Sequence, residues 1–402
     1  MSRHDHPSVI VVGAGLGGLR LIESLRQHGY SEPITLVGSE PHPPYTRPPL
    51  SKELLRGEVD AASIELTDQA VLRDLGVEAR FGAAATRLSV ESRSVTAGSS
   101  ELTADHIVIA TGASARSLPG VSGSNVLSLR TVEDSIALQG FLKPDAKVVV
   151  IGAGFIGLEV AASARHLGCD VTIVDILEAP LARVVDPAIG MAIQALHTSH
   201  GVSFRLGFGV AGVMREGDRV ATVRLSDGSA LDADVVVVGI GAEPAYRWLE
   251  SSGLELSDGV VCSATLAAAP GIWALGDVAR WPHPPHDAPT RIEHWTNAIE
   301  QAQHIAASIV SGAEAPFEPV PYFWSDQYDA KLQSLGVASG DETRIVIGSL
   351  DAAKWTAFIR RGDRLAGVVG LRSAGQVMRR KPLVEQRVRW SEALATVPGQ
   401  KP

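Results

Sequence analysis

Short apolar runs that end in glycine recur along the chain. Val9–Val12 lead into Gly13-Ala14-Gly15-Leu16-Gly17-Gly18, a helical stretch to Gly29 and a second apolar run, Ile34–Val37. Val148–Ile151 lead into Gly152-Ala153-Gly154-Phe155-Ile156-Gly157, a helical stretch to Gly168 and then Val171–Val174. Each copy reads as strand, glycine turn, helix, strand, a βαβ unit that predicts parallel strands and a right-handed crossover. Both runs entering the turns are continuous rather than alternating, the pattern of strands buried on two faces. His106–Ala110 before Thr111-Gly112, Asp234–Val238 before Gly239-Ile240-Gly241, and Ile272–Leu275 before Gly276-Asp277 repeat the ending. Asp186-Pro187 reads as N-cap and first-turn proline of a helix to about His200, and a further helix covers about Thr296 to Ser311. Beyond Pro316, Pro319 and Pro321, the strand-like runs Arg344–Ile347, Trp355–Arg360 and Leu365–Leu371 predict a separate antiparallel module.

Composition narrows the class. The 402 residues suffice for two or three domains, each with its own core. With 45% hydrophobic and 20% charged residues the chain reads as ordinary globular protein, and a net charge of −9 argues against a general nucleic-acid binder. Cys169 and Cys262 are too few for a disulfide framework, which suits a reducing cytoplasm. The polar start runs straight into a strand, so no signal peptide is expected, and no apolar run of ~20 residues predicts a membrane span. Charge is unevenly placed: Lys354–Arg389 hold ten basic residues against Asp363 and Glu385, a net of +8 that leaves −17 for the rest.

The glycine turns carry the first chemistry. G-x-G-x-x-G is met by Gly13, Gly15, Gly18 and by Gly152, Gly154, Gly157. Its first glycine permits a tight turn, the second lets backbone approach a pyrophosphate, and the third allows close helix–strand packing. An acidic residue ending the next strand holds a ribose hydroxyl. Asp175 follows Val171–Val174, with no basic residue in Ile176-Leu177-Glu178 to welcome a 2′-phosphate, so NADH is expected over NADPH. In the first copy Ser39 and Glu40 compete for that role. Two dinucleotide sites in one chain suggest a relay from a nicotinamide to a flavin, which takes a hydride and releases electrons singly.

The stretches Tyr45-Thr46-Arg47-Pro48-Pro49-Leu50-Ser51-Lys52, Leu129-Arg130-Thr131, Ile151–Ala161, Ala274-Leu275-Gly276-Asp277 and Phe323-Trp324-Ser325-Asp326-Gln327-Tyr328 make the likeness more specific. From about residue 8 to 370 the chain resembles the FAD-dependent ferredoxin reductases of bacterial haem-thiolate monooxygenases and ring-hydroxylating dioxygenases, within the glutathione-reductase-like superfamily. That resemblance implies an α/β fold with two Rossmann-like dinucleotide-binding domains and an α+β C-terminal interface domain. Residues 1–113 and 240–318 would form the FAD domain, 114–239 the NAD domain and 319–402 the interface. It places Gly13, Ala14, Gly15, Gly18, Ser39, Glu40, Arg47, Pro48, Lys52, Ala84, Thr111, Gly112, Arg130, Asp277 and Trp295 on FAD. Gly152, Gly154, Phe155, Ile156, Gly157, Glu159, Asp175 and Gly241 would take NAD. Relatives usually carry Asp at Ser39, so the ribose contact is open to Glu40. Lys52 would lie against the flavin ring and Glu159, on the first turn of its helix, near the nicotinamide. Together they form the implied catalytic pair, joined by an ion pair that moves when NADH enters.

The implied partner is a 2Fe–2S ferredoxin, acidic in such systems, docking near Trp324 and the basic Lys354–Arg389 region. Trp324 has a second reading as a packing residue of the C-terminal module, and the basic run as a solvated or self-associating face. No cysteine lies in Glu40–Arg56, where related disulfide reductases keep a redox pair, so electrons must leave for an external acceptor. His283, His286 and His294 lack the rigid spacing of metal ligands and read as packing or solvated residues. A rubredoxin reductase, an NADH oxidase, or a redox-sensing protein like the apoptosis-inducing factors would share many of these motifs.

Overall fold

The computed structural model describes residues 8–283 and 289–397. The chain divides into two compact units: one takes the chain through Thr46, Ile64–Ser114 and Glu243–Pro321, the other Arg47–Ser63, Ala115–Ala242 and the chain from Tyr322 onward.

In the first unit the apolar runs become a six-stranded sheet. Its order is Ala267–Ala269, Ile272–Ala274, His106–Ile109, Val9–Val12, Ile34–Val37, Val77–Arg80. All neighbours are parallel except Ala267–Ala269. Val9–Val12 sit at its centre and are wholly buried, as a two-sided parallel strand should be. The helices Leu16–Gln27 and Trp295–Ser311 bury Leu19, Ile22, Leu25, Ala302 and Ile305 in the same core. The unit also holds a three-stranded antiparallel sheet, Ala85–Ser89, Ser94–Ala97 and Ser100–Thr103.

The second unit repeats the plan around Lys147–Ile151, in a five-stranded parallel sheet ordered Ser203–Leu206, Asp170–Asp175, Lys147–Ile151, Val235–Val238, Val126–Leu127. Helix Pro187–Ser199 starts as its sequence predicts, with the Asp186 carboxylate accepting from the Ala188 N–H at 2.9 Å. The C-terminal module is a five-stranded antiparallel sheet, in the order Tyr322–Gln327, Ala330–Gly336, Arg364–Leu371, Trp355–Arg361, Glu342–Gly348. Trp355, Phe358 and Val368 are buried in it. The pattern along the chain missed its first two strands. Among the described residues no helix is long and apolar enough to cross a membrane.

Candidate active site

At the first glycine of each turn, backbone contacts leave no room for a side chain. A Cβ on Gly13 (φ +126°) would stand 2.1 Å from Ala110 O, and one on Gly152 (φ +111°) 2.3 Å from Gly239 O. The third glycines are as tight: a Cβ on Gly18 would meet Gly13 O at 2.2 Å, and on Gly157 Gly152 O at 2.1 Å. The second glycines differ. A Cβ on Gly15 would meet nothing within 4 Å, and on Gly154 only Gly239 O at 3.9 Å. Tightness at the first and third positions and open space at the second is the cradle a pyrophosphate requires. The helices that follow, Leu16–Gln27 and Phe155–His166, have no capping side chain, whereas Val132–Gln139 and Pro187–Ser199 are capped by Thr131 and Asp186. Their free N–H groups and positive dipole ends suit an anion. Both turns fit a dinucleotide.

Asp175 is the last residue of its strand and half-buried. Its Oδ2 accepts from the Ala153 N–H of the glycine turn at 2.7 Å, and its Oδ1 from the Leu177 N–H at 2.9 Å. The carboxylate is thereby aimed by the turn itself and keeps lone pairs for a diol. In the first copy Ser39 is exposed, and Glu40 Oε2 accepts from the Tyr45 hydroxyl at 2.5 Å.

Lys52 and Glu159 form a buried ion pair, Nζ to Oε2 at 2.6 Å, with 7% and 4% exposure. Lys52 also donates to Pro48 O at 3.1 Å. Glu159 accepts from Ser51 Oγ at 2.5 Å through Oε2 and from Ser325 Oγ at 2.6 Å through Oε1. A buried pair holds its charges only when the remaining lone pairs are satisfied, and here they are. Glu159 is the fifth residue of a helix that begins at Phe155, so it lies in the second turn rather than the first. Its order therefore comes from these partners and not from the helix end.

The other residues expected to hold FAD fall in both units. Arg47 Nη1 donates to Arg130 O at 2.5 Å, and the Arg130 N–H to Asp134 Oδ2 at 2.8 Å, in the same unit as Pro48 and Lys52. The first unit carries Ala14, Thr111, Gly112, Asp277 and Trp295, together with an exposed Ala84. Thr111 Oγ1 donates to Ala245 O at 2.8 Å, and the Asp277 carbonyl accepts from Arg291 Nη1 at 2.9 Å. Trp295 opens its helix. Of the NAD set, Phe155 packs on Phe323 with ring centroids 4.8 Å apart, Ile156 is 45% exposed, and Gly241 is exposed with φ +107°.

Three-dimensional pairing trims the basic run. Arg360, Arg372, Arg364 and Lys381 lie within 4.0 Å of Glu342, Asp329, Asp363 and Glu385. Arg380 is 8% exposed, donates to Gln376 and lies over the Phe358 ring. Lys354, Arg379, Arg387 and Arg389 remain exposed. Trp324 is half-buried, stacked on Tyr322 with Lys331 5.8 Å from its ring centre.

Both cysteines are free and buried. Burial raises the Cys169 thiol and pushes that of Cys262 up to about 12, so neither is a nucleophile. His283 is buried with Nε2 2.9 Å from Pro319 O, and His286 lies outside the described residues. Ser51, Ser325, Gln327, His197 and Tyr328 were not foreseen as site residues. Ser51 and the three from the strand-and-turn lay inside motifs quoted for the resemblance, while nothing marked His197.

Known proteins bear on this arrangement. The pyridine nucleotide-disulphide oxidoreductase family matches residues 7–302, and the reductase C-terminal family matches residues 322–400. Rhodocoxin reductase of Rhodococcus erythropolis is 38% identical over 90% of this chain and 85% of its own. Putidaredoxin reductase of Pseudomonas putida is 35% identical over 96% and 93%. The crystal structure of the covalent putidaredoxin reductase–putidaredoxin complex matches with a TM-score of 0.91 at 33% identity, covering 96% of this chain and 94% of that one. With two fitting glycine turns and no cysteine pair, the chain belongs to the pyridine nucleotide-disulphide oxidoreductase family, in the branch of ferredoxin reductases that carry the reductase C-terminal domain.

Proposed function

We propose that this chain is an NADH-dependent FAD flavoprotein that reduces a 2Fe–2S ferredoxin, which supplies a haem-thiolate monooxygenase or a ring-hydroxylating dioxygenase. The observation that carries the reading is the pair of uncapped glycine turns, each open over its second glycine and closed at the other two. Relatives named as reductase components of a p-cumate 2,3-dioxygenase system and a chlorobenzene dioxygenase, each matched over 90% or more of this chain, support it. Bound FAD supplies the two-electron to one-electron conversion.

The chain's own residues bind and orient. The first glycine turn holds FAD, with Ser39 or Glu40, the latter already bonded to the Tyr45 hydroxyl, at the ribose. Arg47, Pro48, Ala84, Thr111, Gly112, Arg130, Asp277 and Trp295 complete that set. The second turn holds NADH, with Asp175 accepting from the ribose hydroxyls and repelling a 2′-phosphate. Lys52 presents a fixed positive charge that favours electron arrival, and Glu159 keeps that charge in place. Most of the rate enhancement is positioning, since hydride transfer needs no side-chain acid or base. A ferredoxin docks beside Trp324 on the exposed charges Lys354, Arg379, Arg387 and Arg389, and complementary charge speeds the encounter. Two free buried thiols suit a reducing cytoplasm.

The test is the anaerobic visible spectrum. NADH bleaches the bound flavin and NADPH does so poorly, and ferredoxin then restores the oxidised spectrum at once. Flavin left oxidised by NADH would overturn the reading, and flavin that stays reduced after ferredoxin would mark a redox sensor instead.

A further inference from the structure

The polar structure around Glu159 does not stop at Ser325. Ser325 and Gln327 are alternate residues of the strand Tyr322–Gln327, so they share one face, and they are 0% and 1% exposed. Gln327 Nε2 lies 3.2 Å from Ser325 Oγ, and Gln327 Oε1 lies 2.9 Å from Nε2 of His197, itself wholly buried in helix Pro187–Ser199. The Tyr328 hydroxyl stands 3.2 Å from His197 Nδ1.

Chemistry fixes the direction of every bond. A carboxylate only accepts, so Ser325 donates its one proton to Glu159 and must accept from the Gln327 amide N–H. The Gln327 carbonyl then faces His197, whose Nε2 must carry the proton, and His197 Nδ1 accepts from Tyr328. Four hydrogen bonds point one way, from Tyr328 to the Glu159 carboxylate. Burial disfavours the imidazolium of His197 and pushes its pKa down to about 4, which leaves the neutral ring this polarity needs. Charged and titratable neighbours are Lys52 at one end, and His200 and Arg165 beside Tyr328 at the other.

Tyr328 carries a second sign. It is the first of two turn residues between paired Gln327 and Ala330, and its φ is +57°. A glycine ordinarily takes that position, and a bulky side chain there is strained. Its ring is held between His197 and His200, stacked on the latter at 3.7 Å.

We infer that Ser325, Gln327, His197 and Tyr328 are positioning residues, a one-way hydrogen-bonded chain that holds Glu159 against Lys52 and sets how fast NADH reduces this flavoprotein. The inference rests on the function proposed above and deepens it.

Two measurements test it. Nitrogen-15 resonances of the imidazole, assigned by their loss in His197→Gln, report the Nε2–H tautomer if the chain runs as described, and the Nδ1–H tautomer overturns it. Anaerobic stopped-flow bleaching by NADH reads the rate. His197→Leu lowers the limiting rate roughly fivefold while the NADH Kd moves less than about twofold, as the loss of its hydrogen bonds to Gln327 and Tyr328 entails. His197→Gln keeps a donor toward Gln327 and restores the rate to within about twofold. Ser325→Ala, a smaller change, slows bleaching similarly and serves if His197→Leu does not fold. Wild-type rates in His197→Leu or Ser325→Ala, or equal slowing in His197→Gln, would overturn the role. Wild-type flavin that NADH leaves oxidised would sink the functional reading and the kinetic role together, while the tautomer still reports on the chain itself.

Discussion

Asp175 shows how much one side chain is asked to do. Its two oxygens already receive the Ala153 and Leu177 N–H groups, so its removal loosens the turn as well as the proposed ribose contact. Asp175→Ala is expected to raise the KM for NADH by on the order of tenfold and to narrow the gap to NADPH. Steady-state kinetics with both nucleotides check this, and an unchanged preference would remove the carboxylate from its assignment. His197 makes a prediction about acid. The unfolded chain takes up a proton at this ring near pH 6.5, whereas the folded one resists until about pH 4. Stability therefore falls as the pH drops through that window, by up to about 3 kcal/mol from this group. Melting curves at pH 7 and 4.5 are expected to drop further for wild type than for His197→Gln.

At the scale of elements, the two βαβ units were legible because their signals are local: an apolar run, a glycine turn and a helix within thirty residues. The strand Tyr322–Gln327 was not, and its burial pattern explains why. Phe323, Ser325 and Gln327 face inward while Tyr322 and Trp324 are half-exposed. The inward face is mostly polar, so no hydrophobic alternation marks it. The same hydrogen-bonded chain that makes the strand interesting makes it hard to read. Glu159 and Lys52 were legible as residues, but the partners of Glu159, Ser51, Lys52 and Ser325, lie more than 100 positions from it. The turns themselves predict a dissection. Gly18→Ala drives a methyl against Gly13 O and is expected to give protein that does not retain flavin. Gly157→Ala does the same at Gly152 O and is expected to keep flavin while the KM for NADH rises on the order of tenfold or more. Absorbance ratios at flavin and protein wavelengths, with NADH titrations, distinguish the two.

At the scale of the whole molecule, a chain of net charge −9 carries a C-terminal segment of +8. Folding then neutralises or buries much of that segment, which counting residues could not reveal. Arg380 is the clearest instance, buried with its guanidinium over the Phe358 ring. Replacing Arg379, Arg387 and Arg389 by Gln is expected to slow ferredoxin reduction several-fold at low salt and little at high salt. NADH–ferricyanide activity is expected to stay within about twofold. If both activities fall together, this face is not the docking surface. The uncapped helix starts have a last consequence, for the protein's life in a cell. Ligand bound only to the folded state adds stability in proportion to the logarithm of its concentration over its Kd. If the two helices whose N-caps make no side-chain hydrogen bond leave their first N–H groups to a dinucleotide, as proposed, that gain is available only to the loaded fold. Chains made faster than flavin is supplied are then expected to unfold more readily than loaded ones, which a comparison of protease resistance with and without added FAD checks.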